Sequence, residues 1–164
     1  MSKRIALGGM LVALAFVFSY IEMLVPLPFG IPGMKLGLAN LVVLLCLYSM
    51  GAPLAVTVSL VRVLLATFIF GSVSGMLYSL AGAALSFIGM CLCYRHQHFS
   101  PIGVSVLGGV LHNIGQLLVA FALLGVGGVL YYVLPLLCAG AVTGCVIGVV
   151  TKILLPHVKQ MGGR

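Results

Sequence analysis

Seven side chains in this sequence are of the types that bind or orient a polar ligand: Glu22, Lys35, Asn40, Arg62, His112, Asn113 and Gln116. All stand inside or at the edges of long apolar runs. Arg62 is the strongest of them. It lies about ten residues into an apolar run that reads as a spanning helix, near the middle of a bilayer and too deep to snorkel easily. An ionised side chain at that depth costs about 2.5–3.5 kcal/mol on insertion scales and usually faces a bundle interior or a cavity. A guanidinium there suits a carboxylate or phosphate, which its planar fork of donors matches. The other reading is a buried pair with Glu22, or donation to a backbone carbonyl.

His112 and Gln116 are four residues apart and share a helix face, and Asn113 lies about 100° round from His112. One buried amide is commonly a helix–helix hydrogen bond. Three polar residues within five are harder to explain that way, and they point to binding. Gly108 and Gly109, one turn earlier, leave room for something to approach the backbone. Glu22 reads either as an interfacial carboxylate paired with Lys35 or as a ligand group. Asn40, five residues after Lys35, can face the same cavity or bond to a neighbouring helix.

Other chemistry is scarce. Asp is absent and Glu22 is the one acid, so paired carboxylates cannot hold Mg²⁺ against a diphosphate. No Gly-rich Lys motif for nucleotide is present. No catalytic residue and no cofactor is expected. Cys91, Cys93, His96 and His98 offer metal-ligand types, but their spacing is not that of a zinc finger and Cys91 and Cys93 diverge on a helix. They read as small apolar residues beside a polar loop, and no metal is expected. The five cysteines are odd in number and lie in apolar runs, which disfavours a disulfide framework.

The elements that must position these groups follow from composition. Of 164 residues, 63% are hydrophobic and 5% charged, where a soluble domain carries roughly 25% charged residues. The bilayer must therefore be the solvent. The expected fold is all-α, a polytopic membrane protein with six transmembrane helices in one bundle and no soluble domain. The apolar runs place the helices at about 5–24, 36–50, 53–70, 75–94, 102–124 and 129–154. The apolar run after Lys3 and Arg4 continues through Glu22 without a small-x-small cleavage site, so it is expected to be retained as the first helix.

Residues 26–40 interrupt this pattern with Pro26, Pro28, Pro32, Gly30 and Gly33, the composition of a structured loop. Residues 95–101 form the most polar loop, and Gly125, Gly127 and Gly128 a loose turn. Gly9 with Ala13, and Gly140 with Gly144 and Gly148, are four-residue small-residue stripes for close helix contact.

The net charge of +7 comes mostly from residues at the ends of apolar runs, Arg62 being the exception. It therefore concerns topology and the lipid bilayer rather than nucleic acid. Lys3, Arg4, Arg95, Lys152, Lys159 and Arg164 fall on one side, which predicts both termini cytoplasmic. Lys35 falls on the other, with the 26–34 loop facing out.

Ser19-Tyr-Ile-Glu22, then Pro32-Gly33-Met-Lys35-Leu-Gly-Leu-Ala-Asn40, Arg62, Ser79-Leu-Ala-Gly82, Gly103-Val-Ser105 and His112-Asn113-x-x-Gln116 appear in that order. In this the chain resembles the Gx transporter family, also called heptaprenyl diphosphate synthase component I. That family is similar to the substrate-binding S components of energy-coupling factor transporters. The resemblance implies a multi-pass protein of the bacterial cytoplasmic membrane, with a small-molecule site near the outer face closed by the loop after helix 1. It also implies a transmembrane coupling subunit and ATPases as partners. Docking would use an Ala-x-x-x-Ala face of helix 1, to which Gly9-x-x-x-Ala13 corresponds. The expected function is binding of a small anionic solute for transport, without catalysis. The alternative is a non-catalytic membrane accessory of isoprenoid, quinone or redox metabolism with a lipid-like ligand. A lateral apolar groove would favour that alternative.

Overall fold

The computed structural model describes residues 2–24, 37–96 and 99–161. Most of the 26–40 stretch, with Lys35, lies outside the described residues, as does His98. Among the described residues there are six helices: α1 (Ser2–Leu24), α2 (Asn40–Met50), α3 (Ala52–Phe70), α4 (Val73–Arg95), α5 (Pro101–Leu124) and α6 (Val126–Met161). The all-helical build is as expected from continuous apolar runs, since a backbone in hydrocarbon must satisfy its own hydrogen bonds.

Five of the six are long and apolar enough to cross a membrane. The exception is α2. It has 11 residues and spans about 16 Å, against an apolar layer of about 30 Å. The sequence predicted a span over 36–50, but the helix begins only at Asn40. Its burial gives the physical reason. Asn40 and every residue from Val42 to Leu47 are buried, so protein rather than lipid surrounds α2. Such a helix is released from matching the bilayer thickness.

Local signals set the other boundaries. Gly51, at φ 97°, makes the α2–α3 turn, and Pro53 occupies the first turn of α3. The Ser72 hydroxyl accepts from the Gly75 N–H at 3.1 Å, which starts α4 at Val73, two residues before the expected position. Ser100 caps α5 in the same way, at 3.3 Å to the Gly103 N–H.

The expected loose turn over 125–128 is instead one residue, Gly125, at φ 77°. Gly127 and Gly128 are taken into α6. That helix also runs beyond the expected end at Leu154, to Met161, with Pro135 and Pro156 inside it. At 36 residues it is about 54 Å long. Proline is tolerated in such helices because neighbouring groups satisfy the freed carbonyls, and the solvated residues after Pro156 form helix well enough to continue.

Helix α5 packs most closely, against α4 and α6, and glycine is the means. A Cβ at Gly144 would lie 2.7 Å from Val106 Cα, and one at Gly148 would lie 2.6 Å from Ile102 Cα. A Cβ on Gly109 would collide with the Gly140 carbonyl oxygen. The stripe of Gly140, Gly144 and Gly148 is thus spent on the α5–α6 contact. The room expected at Gly108 and Gly109 is filled by Met90 of α4 and by α6.

Two apolar clusters result. One surrounds α2 and includes Leu11, Val43, Leu47, Val58, Met90 and Ile147. The other joins Tyr78, Leu117, Ala120, Val129 and Leu136. Between them, along α4 and α5, lie buried Ser79, Ser86, Ser105, His112, Asn113 and Gln116.

Candidate ligand site in the helix seam

The polar layer between the clusters is met from the other side by α1, α2 and α3. Arg62 is 4% exposed. Its Nη1 donates to Ser19 Oγ of α1 and its Nη2 to Asn40 Oδ1 of α2, both at 3.4 Å. These are long bonds to neutral oxygens. Arg62 Nε is buried and has no hydrogen-bond partner among the described residues. The Ser19 hydroxyl donates to the Ala15 carbonyl at 3.0 Å, which leaves its oxygen to receive Arg62.

Glu22 is buried three residues beyond Ser19, on the same side of α1. Its Oε1 accepts the Leu38 N–H at 2.5 Å. A carboxylate beside the N-terminal end of α2 satisfies the Leu38 N–H and answers the helix dipole. Glu22 also bears on Arg62 electrostatically.

Gly37 connects this group to α5. Its φ is 83°, a left-handed conformation that favours glycine. A Cβ there would lie 3.2 Å from Asn40 Nδ2 and 3.9 Å from His112 Cδ2. On its other flank His112 lies against Gly82 of α4, where a Cβ would come within 2.9 Å of His112 Cε1. The missing side chains of Gly37 and Gly82 therefore make the slot that the imidazole fills.

Of the seven predicted residues, the structure links Glu22, Asn40, Arg62 and His112 through these contacts. Gln116, one turn above His112 on α5, is 0% exposed, and neither of its amide atoms has a hydrogen-bond partner. Asn113 differs: its Nδ2 donates to the Leu136 carbonyl of α6 at 2.7 Å, an interhelical bond. Lys35 lies outside the described residues.

Ser19, Gly37 and Gly82 were not among the predicted site residues. Ser19 was legible, because it precedes Glu22 by three residues and so shares its face. The two glycines carry no chemical signal of their own. A small cavity of about 10 Å³ is bounded by Asn40, Ser105, Gly108 and Thr143, among others, the room of about one water. Among the described residues no three His, Cys, Asp or Glu side chains gather to hold a metal ion.

Two apolar grooves open on the outer surface. One, of about 310 Å³, runs between α3 and α4 past Ser59, Leu60, Ala83, Ala84 and Phe87. The other, of about 470 Å³, lies between α4 and α5 beside Cys93 and Phe99. The exposed side chains of α1, Met10, Leu14 and Val17 among them, are likewise apolar. Gly9 is open, with nothing within 4 Å of a Cβ placed there.

These features define a class: a multi-pass helical membrane protein with ionisable and amide groups gathered in its interior. The sequence places it more closely. Residues 11–154 match the family described as heptaprenyl diphosphate synthase component I, and the chain belongs to that family. No curated protein and no solved structure matches the chain.

Proposed function

We propose that the chain is a substrate-binding component of a membrane transporter for a small anionic solute, working with partner subunits. The observation that carries this reading is Arg62. A guanidinium at mid-helix depth, 4% exposed, makes two long bonds to neutral oxygens and keeps Nε unpaired. Protein that only stabilised a buried arginine would gain by satisfying all its donors. Spare donor capacity suits an incoming carboxylate or phosphate. His112, beside Gly37, and Gln116, one turn from it on α5, would orient the solute, and Lys35 would bring a further cation to it.

Energy and gating would come from elsewhere. The chain has no nucleotide-binding motif, so ATP hydrolysis belongs to partner ATPases. The open Gly9–Ala13 face of α1 suits a close helix contact with a coupling subunit. The residues between α1 and α2 would close the site from outside, with both termini cytoplasmic and the whole chain acting as one bundle in a bacterial cytoplasmic membrane.

The groove between α3 and α4 favours a second reading. It is apolar, opens sideways, and passes Ser59, one turn from Arg62 on α3. An isoprenoid chain would fit it, and the family's description as a synthase component suits a non-catalytic membrane accessory to a prenyl diphosphate synthase. With no Asp and one Glu in the chain, catalysis would rest with a separate subunit.

Purification of the tagged chain from its own membranes separates the two. Transport predicts a coupling subunit and ATPases among the co-purifying proteins. Recovery of a soluble prenyl synthase subunit in their place, with Ala84→Phe expelling a bound isoprenoid, contradicts it.

A further inference from the structure

Asn113 and Gln116 are both buried amides on α5, and the fold treats them differently. Asn113 is spent on the Leu136 carbonyl. Gln116 is fully enclosed, yet its Oε1 and Nε2 are both without hydrogen-bond partners. Leaving such a group unpaired costs about 1–3 kcal/mol, and hydrocarbon surroundings offer no water in compensation. A carboxamide holds an acceptor and a donor side by side in one plane. Gln116 therefore presents a complete two-point edge that no other described residue occupies.

Its place gives that edge a partner. Gln116 stands one helical turn from His112. His112 adjoins Gly37, and Gly37 adjoins Asn40, which receives Arg62. Both unfilled groups, the Gln116 amide and Arg62 Nε, are buried at the two ends of this run of contacts.

We infer that Gln116 reads a cis-amide edge on the ligand: an N–H that donates to Oε1 beside a C=O that accepts from Nε2. With Arg62 taking the negative charge, the ligand class is a small planar acid bearing a lactam, imide or ureide. This rests on the anion-binding reading of Arg62. An acid without the edge leaves both Gln116 atoms unpaired, and sites built on buried hydrogen-bonding groups discriminate strongly against such analogues.

The test uses the full chain in lipid nanodiscs with two probes of similar size, orotate, which has the edge, and benzoate, which lacks it. Calorimetry is expected to show orotate binding at least about tenfold tighter than benzoate, the difference that two further hydrogen bonds support. Gln116→Met is expected to bind the two acids alike. It should also raise the Tm of the ligand-free protein, because an unpaired buried amide is gone. Arg62→Met is expected to weaken both acids together. Equal binding of orotate and benzoate by the native chain overturns the role of Gln116 and leaves the anion site standing, as does a lowered ligand-free Tm for Gln116→Met. Failure of the native chain to bind either acid overturns the anion reading, and this inference with it.

Discussion

Arg62, Asn113 and Gln116 show how far a residue's type reports its task. A charge inside an apolar run is conspicuous in sequence, and Arg62 is buried in the polar layer as that argument required. The amides are not separable by type or spacing. One bonds the α6 backbone and the other bonds none of the described residues, and the partner of the first is a carbonyl with no sequence signature. Glu22 likewise meets a backbone group, its Oε1 accepting the Leu38 N–H. Interhelical bonds of this kind contribute about 0.6 kcal/mol on average and up to about 1.7. Asn113→Leu is therefore expected to lower stability by about 1 kcal/mol and leave ligand affinity within about twofold. Denaturation and binding assays on the same preparation check this, and a large loss of affinity at full stability would return Asn113 to the site. Gly37→Ala should weaken binding more than stability. It strains a left-handed residue at the junction of Asn40 and His112, and unaltered affinity would remove that junction from the site.

At the scale of elements, small residues four apart mean different things on different helices. Gly144 is enclosed by α5, whereas Gly9 faces outward with nothing near it. Gly144→Val is expected to disrupt the α5–α6 contact and lower Tm by several degrees or prevent folding, because Val106 Cα and the Ser105 carbonyl occupy the space. Gly9→Leu should leave the isolated chain's Tm unchanged and weaken only association with a coupling subunit. Loss of stability in Gly9→Leu, or intact co-purification, contradicts that assignment. The short α2 escaped sequence analysis because apolar residues on all sides carry no periodicity that separates a central half-length helix from a span. The extension of α6 past Leu154 escaped because Pro156 reads as a stop in a soluble helix and is tolerated here.

Across the whole molecule, composition made the solvent legible: 63% hydrophobic residues require lipid, and five helices are long and apolar enough to cross it. Which helices approach most closely was not legible, since it depends on which glycine faces which backbone. Topology is testable by single-cysteine labelling in a cysteine-free chain. Cysteines at positions 3 and 159 should both react with a membrane-impermeant reagent only from the cytoplasmic side, and labelling of the two from opposite sides would contradict the proposal that both termini are cytoplasmic.

The central claim is that Arg62 holds an anionic ligand in the seam, and native mass spectrometry of the gently purified chain tests it most directly. The native protein should leave the detergent micelle with a bound small acid. Arg62→Ala, equally inserted and folded, should leave without it. The same bound mass on both proteins would contradict the account.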